Sequence, residues 1–190
     1  MNSTRRLVML NQMAGPLFRQ LAEGMAEIYP DGVKLVTGHP DALVCSSKVN
    51  QKLQVVSAVP YDRRSYFHRF FSWIRYLLNA SGNILFAKKG DVFLLSSNPP
   101  LLAPWIWLLS FIKPVRFGVL IYDIYPDVLE ELKILDKHSF VARSWRALNR
   151  KVYRRAKVSI TIGYRMASRM ERQFGIPVEV VHPWVDIHKI

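Results

Sequence analysis

An acid at the end of a strongly apolar run is a candidate for chemistry. Residues 115–121 (VRFGVLI) lead into Tyr122-Asp123-Ile124-Tyr125-Pro126-Asp127-Val128. So apolar a run reads as a strand buried on both faces, which places Asp123 at its mouth rather than in the core. A carboxylate there can orient or deprotonate a substrate hydroxyl, the work of a general base. Pro126 biases Tyr125 away from helical geometry, and Asp127 suits the cap of a following helix. Two further polar turns belong to the same edge. Ser96-Ser97-Asn98-Pro99-Pro100 offers hydroxyl, amide and free backbone donors, and Asn11-Gln12-Met13-Ala14-Gly15 opens into a helix whose first amides can receive a phosphate or sugar oxygen. On this reading Asp123 is the catalytic group, and Asn11, Gly15, Ser97, Asn98 and Tyr125 bind substrate. Polar residues are also ordinary at strand-to-helix turns, where they serve as caps alone.

These residues need a scaffold that brings distant turns together. Short apolar runs predict strands at 7–11, 33–37, 53–57, 91–96, 115–122, 158–162 and 178–181. Helical spacing predicts helices at 16–29, 65–79, 101–112, 128–135, 140–155 and 164–174. Apolar strands alternating with helices specify an α/β fold, a Rossmann-like, mostly parallel sheet with helices on both faces. Ligands of such sheets gather outside the carboxyl ends of the strands, so the turns after Leu10, Ser96, Tyr122 and Ile162 are the place to look. There is no internal repeat and no low-complexity linker before Pro183, and one domain is expected over 1–182.

The chain has 190 residues, half of them hydrophobic and 12% aromatic, which excludes a disordered chain. Its single cysteine, Cys45, excludes a disulfide framework and a cysteine-rich zinc site, and points to a reducing compartment. Five scattered histidines give no metal-ligand spacing, so no metal is expected. The dinucleotide fingerprint, the Walker A loop and the G-x-S-x-G elbow are all missing from the sequence. Only four apolar residues follow the basic N-terminus, fewer than the roughly 7–15 of a signal peptide. The greasiest run, 101–112, is shorter than the ~20 residues of a membrane span. A soluble or membrane-peripheral protein of the cytoplasm is expected.

A formal charge of +13 calls for an anionic partner. From Lys137 to Arg172 there are eleven Lys and Arg and one acid, Glu171. Within that window Val141, Trp145, Leu148 and Val152 form an apolar stripe, with Arg143, Arg146, Arg150 and Arg154 nearly opposite at about 100° per residue. The arginine ridge is either a solvated face or a contact for anionic lipid. In the helix 65–79, Phe67, Phe70, Phe71, Ile74, Leu77 and Leu78 read as a core-facing surface, while Tyr66 and Trp73 beside Arg69 and Arg75 also suit a membrane interface. No specific nucleic-acid contact is expected, since no binding module is present and the Val/Leu-rich strands are of the buried kind.

The order NQ…G, SSNPPL, YDIYPDV with downstream KILDK, AKVSITIGYRMASRM and FGIPVEVVHPWVD resembles the N-terminal domain of GT-B fold glycosyltransferases of family four, particularly those that assemble bacterial exopolysaccharide and capsule repeats. YDIYPDV and SSNPPL are its more specific parts. The resemblance implies an acceptor-binding domain, a nucleotide-sugar donor as substrate with no resident cofactor, retention at the anomeric carbon, and an acceptor often anchored to a lipid diphosphate. It departs from the family in two ways. The first loop carries only Gly15 where paired glycines are common, and 183–190 matches the start of a linker to a donor-binding domain that has no counterpart in these residues. The resemblance therefore implies half of an enzyme, completed by a second domain or subunit and inactive alone. The alternative is a non-catalytic membrane adaptor that recruits a separate donor-binding chain.

Overall fold

The computed structural model describes residues 6–43 and 51–182. Cys45 and the expected linker at 183–190 lie outside them. Seven strands, β1 (Leu7–Leu10), β2 (Val33–Thr37), β3 (Leu53–Ser57), β4 (Val92–Ser96), β5 (Arg116–Ile121), β6 (Ser159–Thr161) and β7 (Glu179–Val180), form one sheet in the order β3-β2-β1-β4-β5-β6-β7. Every pairing is parallel. The strands therefore share one carboxyl edge, and the winding reverses between β1 and β4.

The helices are α1 (Pro16–Ile28), α2 (Tyr66–Leu85), α3 (Leu102–Leu109), α4 (Asp127–Glu131), α5 (Phe140–Arg155) and α6 (Tyr164–Phe174). Strand alternation sends Leu7 and Met9 to one face and Val8 and Leu10 to the other. Leu7 and Met9 meet Phe18, Ala22 and Ala26 of α1. Val8 and Leu10 share a larger core with Tyr76, Ala80 and Ile84 of α2, Ile106 of α3, Val152 of α5, and Met170 and Phe174 of α6. This asymmetry follows from right-handed crossovers: the helix winding toward β3 lies on one face, and those winding toward β7 lie on the other. Gly38, after β2, is needed for a close approach, because a Cβ there would meet the Val59 carbonyl oxygen at 2.4 Å.

The elements match expectation apart from three helix ends, one of them that of the helix predicted over 101–112, which stops at Leu109. The helix predicted to stop at 79 runs on to Leu85, because Ala80 and Ile84 are fully buried and their packing outweighs the ~1 kcal/mol cost of Gly82. The helix predicted over 128–135 ends at Glu131, and Lys133 turns left-handed with φ 57°.

Two expected faces are also corrected. The buried side of α2 is Ser72, Tyr76, Leu77, Ala80 and Ile84, so of the six residues assigned to its core surface only Leu77 is buried. Small residues at 72 and 80 bring this helix close to the sheet, and the Tyr76 hydroxyl donates to the Val36 carbonyl at 2.9 Å. Phe67, Phe70, Phe71 and Leu78 are left outside. On α5 the buried residues are Ala142, Asn149, Val152 and Tyr153, while Val141 is exposed. Among the described residues no helix is long and apolar enough to cross a membrane.

Candidate functional site

The carboxyl edge collects the turns that the sequence singled out. Asn11 is buried, and its Oδ1 accepts the Met13 amide at 3.0 Å, so this side chain shapes the loop rather than facing solvent. Gln12 is fully buried and ties four other segments to its own loop. Its Nε2 donates to the carbonyls of Val59 and Ser72, each at 3.1 Å, its carbonyl accepts from the Gly38 amide, and its own amide reaches the Asn98 carbonyl. The loops after β1, β2, β3 and β4 are thus stitched at the point where the winding reverses. Gln12→Ala removes the donor shared by two inward carbonyls and is expected to cost about 1–2 kcal/mol of unfolding free energy, read as a lower urea midpoint at unchanged slope.

Ser97, buried, accepts the amides of both Tyr122 and Asp123 at its hydroxyl, at 3.0 and 3.2 Å. It clamps the end of β5 to the end of β4 and so sets where Asp123 emerges. Asn98 is half-buried, and its amide donates to the Ser96 hydroxyl at 3.1 Å. Asp123 itself stands exposed at the strand mouth, as the apolar run before it requires. Its carboxylate accepts no hydrogen bond from the described residues, and partial desolvation holds its pKa above the ordinary carboxylate value. A carboxylate with open lone pairs at the carboxyl edge of such a sheet can orient a hydroxyl or take its proton.

Tyr125 is half-buried beside it. Burial, then the nearby Asp123 and Tyr61, push its phenol up to about 12, so it is a neutral donor. Its ring stacks on Trp145 at 5.9 Å, and its carbonyl accepts from buried Asn149 at 2.8 Å. Across the winding reversal lies a cleft of about 710 Å³ lined by Met13, Ala14, Gly15, His39 and residues 60–64. Gly15 caps α1 without a side-chain hydrogen bond, and space is open beside its Cα. His39 Nε2 accepts the Tyr61 amide at 3.0 Å, which leaves its proton on Nδ1. Arg63 lies over the Tyr61 ring at 5.9 Å, and Arg64 grips Asp62, holding that carboxyl at about 2. Asp123 does not line this cleft, and Tyr125 feels both Asp123 and Tyr61.

Of the expected set, then, Gly15 borders open space, Asp123 and Tyr125 adjoin one another, and Asn11 and Ser97 are spent on backbone. His39, Tyr61, Arg63, Arg64 and Asn149 escaped the sequence reading, and Trp145 entered it only as part of an apolar stripe. Of those that escaped, only Asn149 left a trace, as an amide on the apolar side of its helix.

Asp127 is a buried anchor rather than a cap. It accepts from Gln173 at 3.1 Å and pairs with Arg146 at 3.4 Å and Arg169 at 2.8 Å. Arg146 also pairs with Glu130. It therefore leaves the arginine ridge, whose members at 143, 150 and 154 stay exposed, with Arg150 donating to the Gln173 carbonyl. Trp73 is half-buried and stacked on Tyr61 at 6.3 Å, which turns it toward the β3 loop.

No family model matches the chain. Over 95 residues, half of this chain, it is 30% identical to the "Probable glycosyltransferase WbjE" of Pseudomonas aeruginosa, a match that spans 24% of that protein. Among solved structures, 97% of the chain superposes on 55% of UGT2 from Phytolacca americana, complexed with UDP-2-fluoro-glucose and pterostilbene, with TM-score 0.62 and 8% identity. The fold is GT-B-like. Sucrose-phosphate synthase from Thermosynechococcus elongatus (TM-score 0.62, 11% identity) superposes over 48% of its length, with 94% of this chain covered. A UGT transferase from Siraitia grosvenorii in complex with UDP (TM-score 0.59, 12% identity) does so over 52% of its length, with 96% of this chain covered. The chain thus spans about half the length of these structures, and its match to WbjE about a quarter of that protein.

Proposed function

We propose that the chain is the acceptor-binding half of a retaining glycosyltransferase that moves a sugar from a nucleotide-sugar donor to a lipid-linked glycan in bacterial polysaccharide assembly. Residues 1–182 form the acceptor domain, and 183–190 begin the linker to a donor-binding domain or subunit. It works at the cytoplasmic face of the cell membrane. The observation that carries this reading is Asp123: an unpartnered carboxylate at the carboxyl edge of a GT-B-like parallel sheet, held in place by the Ser97 clamp. The bond from the anomeric carbon to the donor diphosphate breaks first, and the diphosphate leaves with the electron pair. The acceptor oxygen then bonds that carbon from the same face while its hydroxyl proton passes to this carboxylate, so the configuration is kept. Tyr125 donates to the acceptor from one side, and the Gly15 cleft with Asn98 supports its remaining hydroxyls. The sequence similarity to WbjE supports the bacterial context.

The test is transfer itself. The complete reading frame is incubated with radiolabelled nucleotide sugars and a polyprenyl-diphosphate glycan. Label is expected to pass into the organic-extractable acceptor from one donor, with the anomeric configuration kept. Absence of transfer from every nucleotide sugar, in protein that binds the acceptor, would sink the enzymatic reading.

A further inference from the structure

α2 buries one side and leaves a second apolar side uncovered. At about 100° per residue, Ser72, Tyr76, Ala80 and Ile84 occupy the inner arc, while Phe67, Phe71, Leu78 and Leu85 fall within a narrow arc on the outside. Phe67 is 78% exposed, Phe71 61% and Leu78 60%. Twenty helical residues make this stripe about 30 Å long. At its lower end Phe86 is exposed, and so are Leu108 of α3 and Phe111 and Ile112 beyond it. The loops after these two helices face each other across a cleft lined by Lys88, Lys89, Lys113 and Arg116, with Asp91 the one acid in its lining. At the upper end Arg63 is exposed, Arg64 is paired with Asp62, and Arg75 lies beside the stripe.

The charge around this surface is one-sided. α2, α3 and α5 contain no Asp or Glu. Between Arg63 and Tyr122 the sole acid is Asp91, buried in an ion pair with Arg6. α3 packs between α2 and α5, so exposed Arg143, Arg150 and Arg154 belong to the same helix layer. An apolar stripe parallel to a helix axis, rimmed by cations and with its nearest acids, Asp62 and Asp91, both held in ion pairs, is the pattern of a helix lying in the interface of an anionic bilayer. A soluble protein gains nothing by exposing such a stripe to water.

We propose that the outer stripe of α2, with the Phe111–Ile112 turn, docks the chain on an anionic phospholipid surface, and that the exposed arginines of α5 only add charge on that side. The membrane partner belongs to the function proposed above, and the inference rests on that reading for its purpose. The upper end of the stripe reaches the β3 loop, so docking would bring the acceptor cleft to the bilayer, where a lipid-linked glycan is held.

The chain is sedimented with vesicles of phosphatidylcholine alone and of phosphatidylcholine with phosphatidylglycerol, at low and high salt. No donor or transfer is involved, so failure here and failure of glycosyl transfer are separate results. Expected is binding to the anionic vesicles, weakened but not abolished by salt, and lowered about tenfold or more in Phe67→Ser/Phe71→Ser. Both side chains are exposed, and circular dichroism checks the fold of the variant. Hydrogen exchange on vesicles should protect 66–86 and 108–113. Binding unaffected by the double substitution, or protection confined to α5 and α6, overturns the proposal. So does a lipid-indifferent dimer that the double substitution dissolves, which would assign the stripe to a second copy of the chain.

Discussion

Asp123→Asn, in the chain completed by its donor-binding half, should lower turnover by about 10²–10⁴-fold, the usual contribution of a positioned base. The amide keeps the size of the side chain and cannot take the proton. Because Ser97 holds the backbone amide of residue 123 rather than its carboxylate, the substitution leaves the clamp intact. Acceptor affinity should change much less than turnover. The pH profile gives an independent reading. Desolvation lifts the Asp123 pKa, with no cation among the described residues offsetting the shift. Activity should therefore fall on acidification at a pH above the ordinary carboxylate range, and the variant should lack that limb.

The same shift fixes a stability effect of opposite sign. The folded state binds the Asp123 proton more tightly than the unfolded chain does, so the ionised carboxylate weakens folding above the folded-state pKa. Asp123→Asn should raise the urea midpoint at neutral pH, and this gain should vanish below the unperturbed value of 3.8. A substitution that stabilises the fold while removing turnover marks a functional rather than a structural carboxylate. A variant that is both less stable and equally active would remove Asp123 from the mechanism.

What the sequence revealed depended on how local the physics was. The strands were legible because runs such as Phe93–Leu95 and Val119–Ile121 are buried on both faces, and the position of Asp123 followed from the run before it. The work of Gln12 was not legible, because its partners lie 47 and 60 residues away. Arg63 and Arg64 reach the cleft only because Gly38 lets the β3 loop close over the β2 loop, a contact with no local signature. On α2 the rule that aromatic residues face inward failed. Close packing on the sheet selected Ser72 and Ala80, and the phenylalanines on the opposite arc were left to solvent. The arginine ridge was half right for a similar reason: helical spacing aligned four arginines, but Glu130 and Asp127 stand 16 and 19 residues before Arg146 and draw it aside.

Asp127→Ala should destabilise the chain more than any other single substitution at this edge, by about 3 kcal/mol. Asp127 accepts from α5 through Arg146 and from α6 through Arg169 and Gln173, so one carboxylate fastens the turn after β5 to both helices. The side chain is 6% exposed, whereas those of Arg146 and Arg169 are 26% and 47% exposed. The two arginines recover some hydration when the acid is removed and keep Glu130 and Glu131, which holds the loss near the lower end of the range for a broken buried pair. Asp127→Asn, which keeps the volume and one acceptor oxygen, should cost clearly less. Since Tyr125 lies two residues earlier and rests on Trp145 and Asn149 of α5, loosening this anchor should also free the Tyr125 ring. Residues 122–132 should then exchange amide protons faster in Asp127→Ala at denaturant concentrations where the rest of the sheet is still protected. If instead the two variants unfold with equal midpoints, or amides of β1 and β4 open as readily as those of α4, the carboxylate is not the anchor and the order of the Asp123–Tyr125 segment has another source.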